Sequence, residues 1–357
     1  MKILTIVGAR PQFIKAVLVS KELRKKHKEV LVHTGQHYDR EMSEIFFDEL
    51  DIPEPDYNLG IGSNSHAVQT GKMMIAIEEV LLKEKPDCVL VYGDTNSTLA
   101  GALAAVKIHI AVAHVEAGPR MFDKNIPEEV NRILTDHVST LLFAPTQTAV
   151  DNLKKEGITE GVHLTGDIML DSFLYFSGVA ERKSKILAEL GLSKKGYLLV
   201  TLHRAGNTDD ERNLRNIVDA FLSIDDRIVF PVHPRTEKYL KQYGLYDRLK
   251  YAPNITLIDP VGYLDSIILT RNARKILTDS GGLQKEAYFA NVPCITLDET
   301  TGWVETVEDG WNTLVASNKK KIIESIKHFR PRGKQRDVFG DGKAAEKIIE
   351  TISRSQR

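Results

Sequence analysis

The 357-residue sequence has little cysteine, few aromatic residues and no excess of charge of either sign. Two cysteines are too few for a disulfide-stabilised scaffold or a cysteine-rich metal site. The 48 basic side chains nearly balance the 49 acidic ones, which argues against binding of nucleic acid over a broad surface. That balance is still compatible with a small basic pocket for one phosphorylated ligand.

Long apolar runs are also absent. No segment reaches the roughly 20 apolar residues that a membrane-spanning helix requires. The N-terminal run ILTIV is shorter than the apolar region of a secretory signal, which is about 7–15 residues long. We therefore expect a cytoplasmic protein without membrane contact. The 11 histidines are scattered and form no HExxH pair, so that no metal site is expected.

Short β-branched apolar runs alternate with longer amphipathic stretches along the whole chain. Runs that are apolar throughout are typical of parallel strands covered by helices on both faces. At roughly 150 residues per domain, the length favours two domains. We predict two Rossmann-like, doubly wound α/β domains facing a central cleft, at 1–170 and 171–357, with the last helix able to cross back. The predicted strands are 2–7, 29–33, 87–92, 109–115, 140–145, 197–202, 227–232, 255–259, 275–279 and 294–298.

Polar residues follow the predicted strands of the first half, where ligands of doubly wound sheets bind. Arg10 lies in a Gly-Ala-Arg-Pro turn at a helix start, which favours anions, although the turn alone is a weak signal. Asp94 and Glu116 each follow an apolar strand; a helix cap is the alternative role for Asp94. Glu128 falls in the first turn of the next helix, and Arg132 lies four residues on, which also fits a plain salt bridge.

The second half carries two histidine-arginine loops and a glycine pair at equivalent strand ends. The first loop contains His203 and the second contains His233 and Arg235, so that both suit a phosphate. The segment Asp-Ser-Gly-Gly at 279–282 opens a helix, where backbone N–H groups and the helix dipole favour a diphosphate. Glu286, further along that helix, is a candidate acceptor for a ribose hydroxyl.

The familiar nucleotide motifs are missing. The sequence contains neither GxGxxG nor GxxxxGK[ST], and DSGG is not the GxSxG turn of a hydrolase nucleophile. Carboxylates facing a phosphate ester suggest proton transfer coupled to departure of a nucleoside diphosphate. The residues alone do not separate glycosyl transfer, hydrolysis and epimerisation.

The motifs taken together resemble the non-hydrolysing UDP-N-acetylglucosamine 2-epimerase family. The resemblance is colinear over nearly the whole chain. It implies an isomerase with a glycosyltransferase-B-like fold, a homodimer, a UDP-sugar substrate and no cofactor. The segments that carry it are GARPQFIK (8–15), HTGQHYD (33–39), GDTNSTLAGALAA (93–105), HVEAG (114–118), PEEVNRILTDH (127–137), LHRAGN (202–207), HPRT (233–236), LIDPVGYL (257–264) and LTDSGGLQKEA (277–287).

The resemblance also implies a mechanism and roles for individual residues. The C2 hydrogen of an acetamido sugar has no adjacent carbonyl to acidify it, so UDP is eliminated to give a 2-acetamidoglycal and then added back. Asp94, Glu116 and Glu128 become acid/base candidates, Arg132 supports Glu128, and His203 serves catalysis or the phosphates. The implied substrate contacts are Arg10, Lys15, His233, Arg235, Tyr263 (near uracil), Ser280, Gly281, Gly282 and Glu286.

Three segments depart from the family pattern. Leu-Arg-Ser is replaced at 119–121 by Pro-Arg-Met, and an Arg-Asp-x-Thr-Glu run is replaced at 298–302 by Asp-Glu-Thr-Thr-Gly. Asp39 stands near a glutamine of substrate-activated members, which argues against allosteric activation.

The sequences of two segments indicate a second candidate substrate. GARPQFIK and TGWVETVEDGWN also resemble a branch that acts on UDP-2,3-diacetamido-glucuronic acid in surface-polysaccharide pathways. UDP-GlcNAc is slightly favoured over this uronate by the breadth of the family. A hydrolysing epimerase and a non-catalytic UDP-sugar sensor are the further alternatives.

Overall fold

The chain forms two compact α/β units in the computed structural model, which describes residues 1–36 and 53–355. The first unit comprises Met1–Leu174 and Asp337–Arg357, and the second comprises Tyr175–Arg336. The sequence placed the division at residue 170 and assigned residues up to 357 to the second domain, with the last helix free to return. Asp39 lies outside the described residues.

The described part of the first unit contains a seven-stranded parallel sheet. Its order is β3-β2-β1-β4-β5-β6-β7. Successive strands are added toward one edge of the sheet as far as β3 and toward the other edge from β4 onward, so that the strand order reverses between β1 and β4. The strands are β1 (Lys2–Val7), β2 (Lys28–His33), β3 (Tyr57–Asn58), β4 (Cys88–Tyr92), β5 (Ala111–Val115), β6 (Leu141–Ala144) and β7 (Val162–Leu164). The helices are α1 (Arg10–Leu23), α2 (His66–Glu84), α3 (Asn96–Lys107), α4 (Pro127–Val138), α5 (Gln147–Lys155) and the start of α6 (Ile168–Lys183).

Helices cover this sheet on both faces. Alternate residues of β1 belong to two different apolar clusters, because successive side chains of a strand point to opposite faces. One cluster joins Ile3 to the C-terminal helix α16 (Ala344–Arg354) through its buried isoleucines, and the other joins Leu4 to α2. The C-terminal helix thus completes the core of the first unit.

The second unit repeats the plan around a six-stranded parallel sheet of order β10-β9-β8-β11-β12-β13 in the described residues. Its strands are β8 (Leu198–Thr201), β9 (Ile228–Pro231), β10 (Ile255–Ile258), β11 (Lys275–Thr278), β12 (Cys294–Thr296) and β13 (Asn312–Leu314). Its helices, after the end of α6, are α7 (Ile186–Glu189), α8 (Ala205–Thr208), α9 (Glu211–Phe221), α10 (Pro234–Gln242), α11 (Tyr246–Lys250), α12 (Tyr263–Asn272), α13 (Gly281–Phe289), α14 (Val304–Glu308) and α15 (Lys319–His328).

The strand order determines where ligands can bind in each unit. Crevices open in doubly wound sheets at the carboxyl ends of the two strands where the order reverses. In the first unit these strands are β1 and β4, which are followed by Gly8 and Gly93; in the second they are β8 and β11, followed by Leu202-His203 and Asp279. The predicted α/β class with two parallel sheets is confirmed. Within the described residues, no helix combines the length and apolarity needed to cross a bilayer.

Candidate active site

The turn after β1 is held by Gln12, a residue that the sequence reasoning did not single out. Its Oε1 accepts from the backbone N–H groups of Gly8 and Ala9, at 2.9 and 3.0 Å. Its Nε2 donates to the carbonyl of Tyr92 at 2.9 Å, which ties α1 to the end of β4. A Cβ at position 8 would lie 2.0 Å from Thr34 Oγ1, so only glycine fits the turn. Arg10 begins α1 at this edge and is half-buried.

A buried ion pair lies beyond the ends of β4 and β5. Lys15 Nζ on α1 is 2.6 Å from Glu116 Oε1, and the two side chains are only 10% and 8% exposed. Glu116 has a φ of 71°, in the left-handed region that non-glycine residues rarely adopt. Local backbone strain of this kind is concentrated at functional sites. The structure therefore brings together two predicted site residues, and Lys15 is held by an acid/base candidate.

Asp94 follows β4, the neighbour of β5 in the sheet, and is bound by Arg132. The Arg132 guanidinium contacts the Asp94 carboxylate through Nη2 and also through Nε at 3.2 Å. The cap of helix α3 is Thr95, whose side chain accepts from Thr98 N–H, so the capping alternative for Asp94 was wrong. Burial alone would lower the pKa of Arg132, but the carboxylates of Asp94 and Glu129 outweigh burial and raise it.

The predicted pairing of Glu128 with Arg132 was also wrong. Arg132 Nη1 instead binds Glu129 Oε2 at 2.5 Å, three residues away on the same helix. Glu129 is 1% exposed and also accepts from the N–H groups of Met121 and Phe122, at 3.0 and 2.8 Å. Glu128 is exposed in the first turn of α4, where a substrate can reach it. The sequence missed Glu129 because both carboxylates have helical spacing to Arg132.

In the segment at 119–121, the side chain of Arg120 is buried in the first unit. Arg120 is 3% exposed and pairs with Asp136 at 2.7 Å and with Glu156 at 2.7 Å. Burial alone would lower the pKa of Arg120, but Glu156 and Asp136 raise it. This arginine therefore stabilises the first unit from within.

In the second unit, Asp279 shapes the loop that carries His203. Its carboxylate is fully buried and accepts from the backbone N–H groups of His203 and Arg204, at 3.1 and 2.9 Å. It also accepts from Asn207 Nδ2 at 3.1 Å and lies 3.2 Å from His203 Nδ1. Burial alone would raise the pKa of Asp279, but these bonds outweigh burial and lower it. The first residue of DSGG is thus an organiser of the neighbouring loop.

The other three residues of DSGG form the start of α13. Ser280 is the helix cap, and its Oγ accepts from Leu283 N–H at 3.4 Å. A Cβ at position 281 would lie 3.2 Å from Trp303 Nε1 and 4.0 Å from Arg204 Nη2, so the indole and the guanidinium flank this turn. A Cβ at position 282 would lie 3.9 Å from Ser280 Oγ, an ordinary contact distance. A helix start flanked by a cation suits an anionic ligand.

The remaining predicted contacts lie in different surroundings. The rings of His203 and His233 are 5.7 Å apart, and His233 caps α10 by accepting from Arg235 N–H. Arg235 is exposed and its Nε is 3.0 Å from Asp209 Oδ1. Glu286 is buried on α13.

Tyr263, expected near uracil, is 3% exposed, and its ring packs edge-on against Phe176 at 5.8 Å. Its ring therefore packs within the second unit.

The altered segment at 298–302 is tied to this edge. Asp298 pairs with Arg204 at 2.7 Å, and Thr301 Oγ1 donates to Gln284 Oε1 at 2.6 Å. Asp298 thus pairs with the cation beside Gly281. No group of three or more His, Cys, Asp or Glu side chains within the described ranges is placed to hold a metal ion.

Comparisons with known proteins show which family the chain belongs to. Residues 21–353 match the family model described as UDP-N-acetylglucosamine 2-epimerase. A UDP-N-acetylglucosamine 2-epimerase homolog from Methanococcus maripaludis is 60% identical, with 99% of each chain covered. The UDP-2,3-diacetamido-2,3-dideoxy-D-glucuronate 2-epimerase of Pseudomonas aeruginosa is 48% identical over 99% of this chain and 100% of its own. The crystal structure of Methanocaldococcus jannaschii UDP-GlcNAc 2-epimerase with UDP-GlcNAc and UDP has a TM-score of 0.93, at 48% identity and 99% coverage of each chain.

The fold and the comparisons define an isomerase built from two α/β domains of the glycosyltransferase-B-like class. This chain belongs to the UDP-N-acetylglucosamine 2-epimerase family. The family and the enzyme class expected from the sequence motifs are therefore confirmed.

Proposed function

We propose that the protein reversibly inverts C2 of a UDP-2-acetamido sugar, as in the conversion of UDP-GlcNAc to UDP-ManNAc. The observation that carries this proposal is the pair of cation-bound carboxylates at the edge of the first sheet. Glu116 is bound by Lys15 and Asp94 by Arg132, at the ends of adjacent strands. Inversion needs one group that removes a proton from C2 and another that delivers one to the opposite face, and neighbouring carboxylates supply both.

The step that we propose is an elimination. A base takes the C2 proton, the C2–H electron pair forms the C1–C2 double bond, and the bond from C1 to the diphosphate oxygen breaks. UDP then adds back to C1 through an oxygen of its terminal phosphate, and C2 receives a proton on the other face. Glu128, exposed at the start of α4, is the third acid/base candidate.

The groups that would hold the departing diphosphate belong to the second unit. Backbone N–H groups at the start of α13, with Ser280, Gly281 and Gly282, suit the negative charge that develops on UDP. His203 stands at the neighbouring strand end on the loop fixed by Asp279. Arg10, His233, Arg235 and Glu286 are the further candidate contacts.

The uronate UDP-2,3-diacetamido-2,3-dideoxy-glucuronic acid is the second candidate substrate. The Pseudomonas aeruginosa relative that carries this activity in its name is as similar to the chain, at 48% identity, as the Methanocaldococcus jannaschii epimerase.

The test is incubation of the protein in D2O with each candidate sugar nucleotide, followed by NMR. The account predicts deuterium at C2 of both epimers and no free sugar. Release of free N-acetylmannosamine with UDP would indicate a hydrolysing enzyme. Binding of the sugar nucleotide without deuterium exchange would indicate a non-catalytic sensor. Glu116→Gln should abolish exchange and retain UDP binding, whereas Glu160→Gln, on an exposed loop, is the matched control and should change neither.

We further propose that the protein is a homodimer that buries an apolar face of the first unit. Val68, Ile75 and Leu82 recur every seven residues along α2 and are 43%, 64% and 58% exposed. Val130 and Leu134 are exposed on α4, and both helices pack against α3. Exposed apolar residues on neighbouring helices are typical of a protein–protein interface.

A further inference from the structure

His114 lies directly beneath the turn that carries Asp94. It belongs to β5 and is completely buried. Its Nδ1 is 2.7 Å from Asp136 Oδ1 on α4, and its Nε2 is 2.7 Å from the carbonyl oxygen of Gly93. The ring thus links a strand, a helix and the turn after β4.

Both ring nitrogens of His114 face groups that accept hydrogen bonds. A carbonyl oxygen can only accept, so Nε2 must donate to Gly93. Asp136 also accepts from Gly118 N–H at 3.1 Å and binds Arg120 Nη1 at 2.7 Å, which marks it as a carboxylate. Nδ1 must therefore donate as well, and the ring uses both N–H groups.

The charges around this ring balance within the cluster. Arg120 also binds Glu156 Oε1 at 2.7 Å. The two buried cations, His114 and Arg120, thus face two carboxylates, Asp136 and Glu156. A compact neutral network of this kind fixes the orientation of its members because each lost bond leaves a buried group unsatisfied.

The Gly93 carbonyl that His114 holds belongs to the peptide leading into Asp94. Gly93 has a φ of 62°, and its N–H donates to Val115 O at 2.9 Å. A Cβ at position 93 would lie 3.1 Å from Lys15 Nζ and 3.6 Å from Glu116 Oε1. The position of this peptide therefore sets the spacing between the two cation-bound carboxylates.

We propose that His114 is a positioning residue for the C2 proton transfers, which it serves by fixing the Gly93–Asp94 peptide against the strand end that carries Glu116. The proposal rests on the epimerase function proposed above. His114 itself touches no reacting atom in this account.

The first test is His114→Gln. The glutamine amide can donate to Gly93, but its oxygen then faces the Asp136 carboxylate. Because displacements of about 1 Å reduce turnover by roughly 100-fold, we expect kcat to fall by about that factor. The Kd for UDP should stay within twofold. Adding Asp136→Asn supplies an amide donor to the glutamine oxygen and should restore kcat at least tenfold; no recovery would overturn the donor and acceptor assignment.

The deuterium isotope effect separates positioning from a loss of folded protein. With substrate deuterated at C2, the isotope effect on kcat should rise in His114→Gln, because misplaced carboxylates slow the proton transfer itself. A smaller fraction of active enzyme would leave the isotope effect unchanged. A kcat within twofold of the unmodified protein, or a lower kcat with an unchanged isotope effect, would overturn the proposal.

A second measurement uses the unmodified protein in case the variant does not fold. In protein labelled with 15N-histidine, His114 should show two slowly exchanging ring N–H signals, one close in space to Gly93. A single ring N–H would overturn the assignment. Failure of the epimerase proposal gives a different result, since the unmodified protein would then show no C2 exchange in D2O.

Discussion

The two adjacent glutamates of α4 allow a direct test of the site geometry. Glu129→Gln keeps the volume of the side chain but removes the charge bound to Arg132. It also weakens the acceptor for the N–H groups of Met121 and Phe122. Hydrogen bonds to charged groups contribute about 1.5–3 kcal/mol each, and breaking a buried ion pair costs about 3–5 kcal/mol. Because Arg132 keeps Asp94 as a partner, we expect a loss near the lower end, about 2–3 kcal/mol.

The assay is differential scanning calorimetry of both variants. For a unit of this size, a loss of 2–3 kcal/mol lowers the melting temperature by about 5–10 °C. The transition of the second unit should not move and serves as an internal control. Glu128→Gln, at an exposed position, should leave both transitions unchanged and reduce epimerisation instead. An unchanged first transition in Glu129→Gln, or a larger shift in Glu128→Gln, would refute the reasoning.

Three further predictions concern other parts of the chain. The pKa of Asp279 is lowered in the folded protein, so this carboxylate stabilises the fold above its unfolded-state pKa of about 4, and the stabilisation is lost as the pH falls through the folded-state pKa. Asp279→Asn should therefore destabilise the second unit at pH 7. In calorimetry between pH 3 and 7, the stability of this variant should depend less on pH. Burial lowers the pKa of Lys275 to about 8, so the free energy of unfolding should rise between pH 8 and about 10.5, by at most about 3 kcal/mol. Lys275→Met should abolish this rise when unfolding by denaturant is measured over that pH range. If the proposed dimer forms through this face, Ile75→Glu with Leu82→Glu should give a monomer in light scattering, whereas Glu78→Gln on the same helix should not.

The sequence predicted the sheets well because their strands are buried on both faces. Every predicted strand corresponds to a strand of the structure, shortened by one or more residues at some ends. The short strands β3, β7 and β13 were missed, since two or three residues carry too little periodicity. The last helix, which the sequence analysis allowed to cross back, does return to the first unit, where Ile348 and Ile352 pack against distant residues.

The positions of the candidate site residues were predictable at strand ends and less so on helices. Asp94, Glu116 and His203 lie just beyond strand ends, as expected, because ligands of doubly wound sheets bind at the carboxyl edge. In most helices the apolar residues are buried and the polar ones exposed, but helix α4 does the opposite. It buries Glu129, Asn131 and Asp136 and exposes Val130 and Leu134. Amphipathic periodicity finds the two faces of a helix but not which one a polar site turns inward. Partner choice between Glu128 and Glu129 was therefore beyond the sequence.

The central claim is that the bond from C1 to the diphosphate breaks during each inversion, and positional isotope exchange tests it most directly. The substrate carries 18O in the oxygen that bridges C1 and the β-phosphorus. Once the bond to C1 is broken, rotation of the terminal phosphate of UDP exchanges the labelled oxygen with the two other terminal oxygens before re-addition. The account predicts that, as the epimers form, 18O leaves the bridging position in about two of every three re-additions. Epimerisation with the label retained in the bridge would contradict it.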